Sequence, residues 1–226
     1  MLFSYASSLS RDVPELATQV LRIQGVTPQA CTAAAVGDLV ERARQRLAST
    51  PESELPEIQA WRRAFARMGL RPTQYRCASE ALLRRLRKEG ELPRLHPLVD
   101  LCNAASVAYA IPVAVIDLGR VQGRLRVGPA AGAELYETFT GETEHPQPGE
   151  IIFADEAGRA HARRWCNRQS GHSAVTRHTA DALIVAEALH ATAGADTGLL
   201  IAGIEAALST SWPQAQVSRM AVQQPS

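Results

Sequence analysis

The sequence predicts a single α/β (α+β) domain in which several helices pack against a mixed, largely antiparallel sheet. Helical apolar spacing fills the first half of the 226-residue chain, whereas short apolar runs bounded by Gly, Pro and Asp dominate the second half. With 46% hydrophobic and 21% charged residues, the composition is globular and excludes a disordered or fibrous chain. No linker or repeat interrupts the pattern, so we treat residues 1–226 as one domain.

The first half of the chain is predicted to hold one strand and four helices. Residues 20–26 form an alternating segment, which suits a strand near the edge of a sheet. In the next four segments apolar residues recur at helical spacing, and Gly69 and Gly90 are natural ends for the second and third helices. The predicted helices cover residues 33–48, 53–68, 78–88 and 96–109.

Positive charge is concentrated around the second and third predicted helices. Residues 59–95 hold ten basic and three acidic groups, although the formal net charge of the whole chain is only +1. In the third helix we expect Ala81, Leu82 and Leu86 to face the core and the basic side chains to face outward. Such a basic face is either simply solvated or a surface for phosphate groups. Its candidate phosphate-binding residues are Arg62, Arg63, Arg84, Arg85, Arg87 and Lys88.

The fourth predicted helix is apolar on nearly every side, which places it in the core. Asp100, Asn103 and Ser106 interrupt it at intervals of three residues and therefore share one helical face. Asp100 and Asn103 serve either in capping and core hydrogen bonds or in a ligand pocket.

The second half is predicted to be mainly β-strand. Residues 113–118 form a short apolar run typical of a buried strand, and residues 182–189 fit either a strand or a helix. Residues 198–208 have helical spacing, and the last ten residues resemble a frayed end. Further short strands are expected at residues 123–127, 134–140, 150–154 and 160–165.

The sequence points to no cofactor, metal or membrane. Glycine-rich nucleotide motifs, serine hydrolase motifs and histidine pairs at metal-ligand spacing are all missing. No apolar run approaches the roughly 20 residues that a membrane span needs. Four widely separated cysteines without a signal peptide indicate reduced thiols in a cytoplasmic protein. Cys166 paired with a histidine stays open as a thiol nucleophile.

One polar segment follows an apparent strand at residues 162–173. Amides and hydroxyls of this kind are costly to bury unless they are hydrogen-bonded. The segment is therefore either a solvated loop or the rim of a pocket that binds a polar ligand. Its candidate binding residues, with one neighbour, are Trp165, Asn167, Gln169, Ser170, His172, Ser173 and Thr176.

Three segments carry a resemblance to a known family: residues 92–103 (LPRLHPLVDLCN), 111–117 (IPVAVID) and 171–179 (GHSAVTRHT). In this order they resemble the B3/B4 tRNA-binding and editing domain of the phenylalanyl-tRNA synthetase β subunit. The similarity runs from about residue 62 to residue 189. The chain is more closely similar to freestanding B3/B4 proteins, which lack a synthetase body.

The resemblance implies a trans-acting hydrolase that binds tRNA and cleaves the ester of a mischarged amino acid at its 3′ end. It implies an aminoacyl pocket made of Asn103 and the polar segment beyond Trp165, beside a tRNA surface on the arginine-rich helices. Two positions depart from the synthetase pattern. Ala114 stands where a histidine is expected, and Val185 stands where a glutamate is expected, with Glu187 two residues further on.

Asn103 and Glu187 are the candidate catalytic residues. A shift of two residues keeps Glu187 on the same face of a strand, although an insertion or bulge would place it elsewhere. Two alternatives stay open: a non-catalytic module that binds tRNA or a small molecule, and an interaction protein or enzyme for another small polar substrate. A monomer is compatible with the sequence.

Overall fold

Two main β-sheets, a separate two-stranded sheet and the helices make up the fold, which a computed structural model describes for residues 3–223. The predicted mixture of helices with a mixed sheet is confirmed. The helices are α1 (Ser7–Asp12), α2 (Ala33–Ser49), α3 (Pro56–Arg67), α4 (Ala78–Glu89), α5 (Pro97–Tyr109) and α6 (Ala193–Ser211). The strands are β1 (Phe3–Tyr5), β2 (Ala17–Gln24), β3 (Val113–Asp117), β4 (Leu125–Pro129), β5 (Tyr136–Glu137), β6 (Thr143–Glu144), β7 (Ile151–Asp155), β8 (Ala160–Arg163), β9 (Arg168–Gln169), β10 (Asp181–Ala188), β11 (Gln216–Arg219) and β12 (Val222–Gln223).

The larger sheet has the strand order β12-β1-β4-β7-β8-β9, and the smaller sheet has the order β11-β2-β10-β3. Strand β1 pairs in parallel with β12 and β4, while the other pairs in these two sheets are antiparallel. Strand β9 lies at an edge of the larger sheet and β3 at an edge of the smaller one. These two edges approach each other around the candidate site.

Helix boundaries follow local sequence signals, although α3 begins at Pro56 instead of residue 53 and α6 spans Ala193–Ser211 instead of residues 198–208. Helix α3 begins at Pro56, a residue suited to the first helical position because it lacks an N–H group. Helix α4 ends at Gly90, which adopts a left-handed conformation with φ of +79°. At the start of α5, the imidazole Nδ1 of His96 accepts a hydrogen bond from the backbone N–H of Leu98 at 3.2 Å.

The inward face of α4 differs from the predicted one. Leu83 and Leu86 are buried, whereas Ala81 is exposed and Leu82 is half-buried. The reason is that Glu80 is also buried, at 1% exposure, where it pairs with arginine side chains. Apolar spacing alone could not identify a glutamate as an inward-facing residue.

The end of the chain is not frayed as expected. Residues 216–219 pair with β2, and residues 222–223 pair with β1; residues 224–226 lie outside the described range. Both strands are short and mostly exposed, so their sequences lack the apolar alternation that marks a half-buried strand. Residues 182–189, which fitted either element, form strand β10 between β2 and β3.

Three apolar clusters occur in the described residues. The first packs helices α3 and α4 against strands of both sheets and includes Trp61, Phe65 and Trp165. The second lies between the smaller sheet and helices α5 and α6, and a small third cluster contains Tyr136 and Ile152. The indoles of Trp61 and Trp165 meet edge to face with their centroids 5.0 Å apart. Over residues 3–223, no helix combines the length and apolar character that crossing a bilayer requires.

Candidate functional site

A cavity of about 50 Å³ lies where the edge strand β3 faces the end of β8 and strand β9. Ala114 of β3, Glu187 of β10 and the turn at residues 165–169 line it, together with Ala78 at the start of α4. Four separate parts of the sequence therefore meet here. The cavity joins one carboxylate, two amide side chains and the N-terminus of the arginine-rich helix.

Glu187 is the buried carboxylate of this cavity, with only 2% of its surface exposed. Its Oε1 atom accepts hydrogen bonds from the Tyr5 hydroxyl at 2.5 Å and from the Trp165 indole Nε1 at 2.8 Å. No donor from residues 3–223 reaches Oε2. Burial raises the pKa of Glu187 to about 7, although the two hydrogen bonds act in the opposite direction.

The strand register explains why Glu187 reaches the cavity. Strand β10 pairs without interruption with β2 from residue 181 to residue 188, so no bulge displaces the carboxylate. Val185 lies opposite Ala114 on β3, and Glu187, two residues further on, points to the same face. Ala114, which replaces the expected histidine, and Glu187, the shifted glutamate, therefore line the same cavity.

A strained turn brings Trp165 into the cavity. Arg164 and Trp165 both have positive φ angles, 46° and 59°, which residues other than glycine rarely adopt. Glu150 holds this turn because its Oε1 accepts from the backbone N–H of Arg164 at 3.0 Å and from Arg163 Nε at 2.9 Å. The backbone N–H of Trp165 donates to the Ile151 carbonyl at 2.6 Å. These bonds offset the strain and fix the indole against Glu187.

Two amide side chains of the turn are anchored by backbone carbonyls. Asn167 Nδ2 donates to the Arg76 carbonyl at 2.7 Å, just before α4. Gln169 Nε2 donates to the Val115 carbonyl of β3 at 2.5 Å and so joins the edges of the two sheets. The predicted binding residues Trp165, Asn167 and Gln169 therefore do meet in one cavity.

Asn103 and Asp100 lie elsewhere. Asp100 lines a separate groove of about 460 Å³ beside α2, and its Oδ1 accepts from the backbone N–H of Leu95 at 2.8 Å. Asn103 is half-buried one turn further along α5 and does not line the cavity of Glu187. The polar face of α5 was evident from its sequence, but periodicity does not reveal which neighbour that face meets. Asp100 thus makes a local hydrogen bond at the start of α5 and also lines this groove.

The remaining polar residues of the segment stabilise a loop instead of lining the cavity. The Ser170 hydroxyl donates to the Glu137 carbonyl at 2.9 Å, and the Ser173 carbonyl accepts from the Asp117 N–H at 3.0 Å. The Thr176 hydroxyl accepts from the backbone N–H of His178 at 3.2 Å within an exposed turn. His172 lies beside Glu137, with 3.9 Å between Nδ1 and Oε2. The Ser170 and Thr176 side chains thus bond to backbone groups of the loop, whereas the buried Ser173 hydroxyl has no hydrogen-bond partner within the described residues. The sequence does not distinguish such loop side chains from pocket residues.

The arginine-rich surface is partly neutralised by carboxylates. Arg62 forms two hydrogen bonds with Glu80, and Arg87 forms two with Glu52, which precedes the counted stretch. The remaining candidates have weaker partners or none: Arg84 lies 3.9 Å from Glu52, Arg85 pairs with Glu89 on the surface, and Arg63 and Lys88 form no salt bridge within the described residues. Arg63 and Lys88 are thus the freest cations of the predicted set.

The site residues predicted from the sequence do not include Tyr5 or the lining residues Ala78, Pro112, Val113, Phe153, Ala162 and Arg168. Tyr5 lies 182 residues from Glu187, so no local spacing links them. The alternation of Phe3 and Tyr5 with polar Ser4 was the available indication of a strand. No group of three or more metal-binding side chains occurs in the part of the chain that is described.

The chain belongs to the B3/4 domain family, whose model matches residues 60–202, more than half of the chain. That range includes β3, β8, β9 and β10, and therefore every residue that lines the cavity, but not Tyr5, which donates to Glu187. The resemblance stated from the sequence is confirmed.

Two known proteins are similar to the chain. The phenylalanine-tRNA ligase β subunit of Cereibacter sphaeroides is 30% identical over 93 residues, which are 41% of this chain and 11% of that protein. The crystal structure of an N-terminal fragment of the phenylalanyl-tRNA synthetase β subunit from Pyrococcus horikoshii shares the fold, with a TM-score of 0.50 and 9% identity. That alignment covers 99% of this chain and 52% of the fragment, so the chain spans only part of each relative.

Proposed function

We propose that the chain is an aminoacyl-tRNA deacylase that binds tRNA and hydrolyses the ester of a mischarged amino acid. The observation that supports this most is the cavity, in which a buried carboxylate, an indole and two anchored amides converge inside the family-matched region. A pocket with a few polar groups at fixed positions is what recognition of a small acyl group requires. The similar proteins are β subunits of phenylalanyl-tRNA synthetases, which supports tRNA as the partner.

The reaction needs only a positioned water molecule. Water adds to the ester carbonyl carbon, the bond from that carbon to the ribose oxygen breaks, and the products are a free amino acid and a tRNA with a free hydroxyl. Neither a protein nucleophile nor a metal is necessary, provided that water and ester are held in the right geometry. The N-terminus of α4 presents the positive end of its dipole to the cavity, where it favours the oxyanion of the tetrahedral intermediate.

Among the cavity's ionisable groups, Glu187 is the one suited to contact the acyl group. Its raised pKa of about 7 leaves a substantial ionised fraction at neutral pH, which suits proton exchange. Burial also raises the pKa of the Cys166 thiol well above its ordinary value, so that thiol stays protonated. Cys166 is therefore poorly suited to the nucleophile role that the sequence left open.

Arg168 at the cavity, together with exposed cations on helices α3 and α4, would hold the tRNA. Arg168 lines the cavity, and its guanidinium is 41% exposed and only loosely paired with Glu144, at 3.3 Å and more. Arg63 and Lys88 add unpaired charge on α3 and α4. Arg62 and Arg87 are better suited to structural ion pairs because each already binds a carboxylate through two hydrogen bonds.

A hydrolysis assay tests the proposed function. The full chain is mixed with tRNAs that each carry one amino acid, and loss of the ester is followed against a reaction without protein. We expect at least one substrate to be hydrolysed faster, and the Glu187→Gln variant to reduce that rate by roughly 10-fold or more because a charged acceptor is lost. If every ester decays at the rate without protein, the deacylase proposal is wrong.

The contribution of Arg168 to tRNA binding is measured separately. Arg168→Ala should weaken binding and lower the slope of log Kd against log salt concentration by roughly 0.7, the value for one lost contact to single-stranded phosphate. Arg219→Ala is the matched control, because Arg219 is also half-exposed and paired with a glutamate but lies on β11, which does not line the cavity. Equal slopes for the two variants would exclude Arg168 from the tRNA contact.

A non-catalytic binding module is the second candidate. It is favoured by Ala114, which leaves the cavity without an imidazole group. Saturable tRNA binding without acceleration of any ester hydrolysis would select this alternative.

A further inference from the structure

The size of the cavity limits which acyl group can enter. Its volume of about 50 Å³ provides space for roughly three to five water molecules, since each one needs about 10–15 Å³ of such a cavity. The side chain of serine has two heavy atoms and that of threonine has three, whereas phenylalanine and tyrosine have seven and eight. An aromatic side chain therefore does not fit without rearrangement of the walls.

The walls of the cavity are held too firmly to rearrange at low cost. Trp165 is fully buried, packs edge to face on Trp61 and donates its indole N–H to Glu187. Phe153 is 1% exposed and belongs to the same apolar cluster. Moving either ring would leave a void in a close-packed core, which costs several kcal/mol.

The chemistry of the cavity favours a hydroxyl group. Tyr5 and Trp165 both donate to Oε1 of Glu187, so Oε2 is the carboxylate oxygen left for a ligand. A serine or threonine hydroxyl can donate to Oε2, whereas the methyl group of alanine or valine leaves this buried acceptor without a partner. A buried acceptor that is left without a donor loses its bonds to water and gains none in return. This cost exceeds the net gain from an ordinary hydrogen bond, so the preference for a hydroxyl group is large.

We infer that this cavity selects a small hydroxylated aminoacyl group, seryl or threonyl, and excludes aromatic ones. The inference rests on the proposed deacylase function and specifies its substrate class. A tyrosyl group is excluded because its side chain exceeds the volume available between Trp165 and β3.

The test uses the full chain and one tRNA transcript charged in turn with six amino acids that form three pairs: Ser and Ala, Thr and Val, Tyr and Phe. Each pair differs by the presence of one hydroxyl group. We expect Ser and Thr esters to be hydrolysed at least about 10-fold faster than Ala and Val esters, and Tyr and Phe esters to decay as they do without protein.

The outcomes separate this inference from the proposed function. Hydrolysis of the Tyr ester as fast as the Ser ester, or of the Ala ester as fast as the Ser ester, overturns the inference and leaves a deacylase. Decay of all six esters at the rate without protein defeats the proposed function itself and the inference with it.

A variant that fills the cavity provides an independent check. Ala114→Val adds two methyl-sized carbons to a half-buried position of β3 that lines the cavity, in a strand that tolerates valine well. We expect at least a 10-fold loss of Ser ester hydrolysis with an unchanged Tm. Ala154→Val is the matched control on β7, since Ala154 is also half-buried in a strand but lines a different groove. Full activity of Ala114→Val would show that the acyl group binds elsewhere.

Discussion

Glu187 combines two properties that rarely occur together in a structural residue. It is buried in an apolar cluster beside Val185, yet one of its carboxylate oxygens has no donor within the described residues. Tyr5 keeps its proton across the neutral range because burial and the adjacent carboxylate raise its pKa well above the usual value. The Tyr5 hydroxyl is thus a permanent donor to Glu187. Ionisation of the pair therefore involves Glu187 alone at neutral pH.

Glu187→Gln should remove a pH dependence of stability. Folding raises the pKa of Glu187 from 4.5 to about 7, so the native state holds more protons than the unfolded state between these values. The resulting stability is fully present below pH 4.5 and is lost as the pH rises through 7, by on the order of 3 kcal/mol. We expect the free energy of unfolding of the variant, relative to the wild type, to rise by that amount between pH 4.5 and pH 8.

Urea denaturation of both proteins between pH 4.5 and pH 8 measures the difference between their free energies of unfolding. The titration of all other groups cancels in this difference. A difference that is constant with pH would show that Glu187 titrates normally in the folded protein.

The residues of the candidate site differ in how far sequence could predict them. The position of Glu187 was predicted from its spacing of two residues from Val185 along one strand. This spacing keeps both residues on the same face because β10 pairs regularly with β2 and β3. Trp165 and Gln169 lie in one short segment, so they stay close wherever it folds. Asn103 required knowledge of how α5 is rotated against its neighbours, and Tyr5 required knowledge of which strand joins β4. Both depend on tertiary packing, which local periodicity does not encode.

At the scale of elements, helices α3 and α4 are joined by buried carboxylates. Glu80 of α4 binds Arg62 of α3 through two hydrogen bonds and lies 3.5 Å from Arg76. Glu52, just before α3, binds Arg87 near the end of α4 in the same way and has its pKa lowered by that arginine. A charge count over residues 59–95 misses Glu52 and overstates the free positive charge.

Replacing Glu80 should destabilise the protein more than replacing another glutamate of α4. Glu80→Ala removes the buried partner of Arg62, and we expect a loss of about 2 to 3 kcal/mol in the free energy of unfolding. Glu89→Ala, the control, breaks the exposed pair with Arg85 and should cost less than about 0.5 kcal/mol. Chemical denaturation measures both values, and equal losses would contradict the structural role given to Glu80.

At the scale of the whole molecule, the two sheets are completed by strands from both ends of the chain. Strand β11 forms the edge of the smaller sheet beside β2, and β12 forms the edge of the larger sheet beside β1. Residues 216–223 are thus structural although their composition suggested fraying. Longer elements such as α2 and α5 were predictable because many apolar positions repeat, whereas a two-residue strand offers no repeat to detect.

Truncation tests the contribution of these strands. A chain that ends at residue 220 loses β12, and a chain that ends at residue 215 loses β11 as well. At roughly 0.5–1.5 kcal/mol per backbone hydrogen bond, loss of the four-residue strand β11 should cost about 2 to 4 kcal/mol more than loss of β12 alone. Thermal unfolding of the two truncated chains compares them, and equal Tm values would mean that β11 contributes little to folding.

The contact between Tyr5 and Glu187 also sets an order of events during protein synthesis. With 182 residues between them and roughly 5–20 residues added per second, the ribosome needs on the order of 10 to 40 s to connect the two. Throughout that interval the emerging chain has the hydroxyl donor but not its acceptor. A nascent polypeptide therefore cannot complete the cavity before Glu187 has emerged, because the carboxylate that lines it is supplied only when residue 187 has been added.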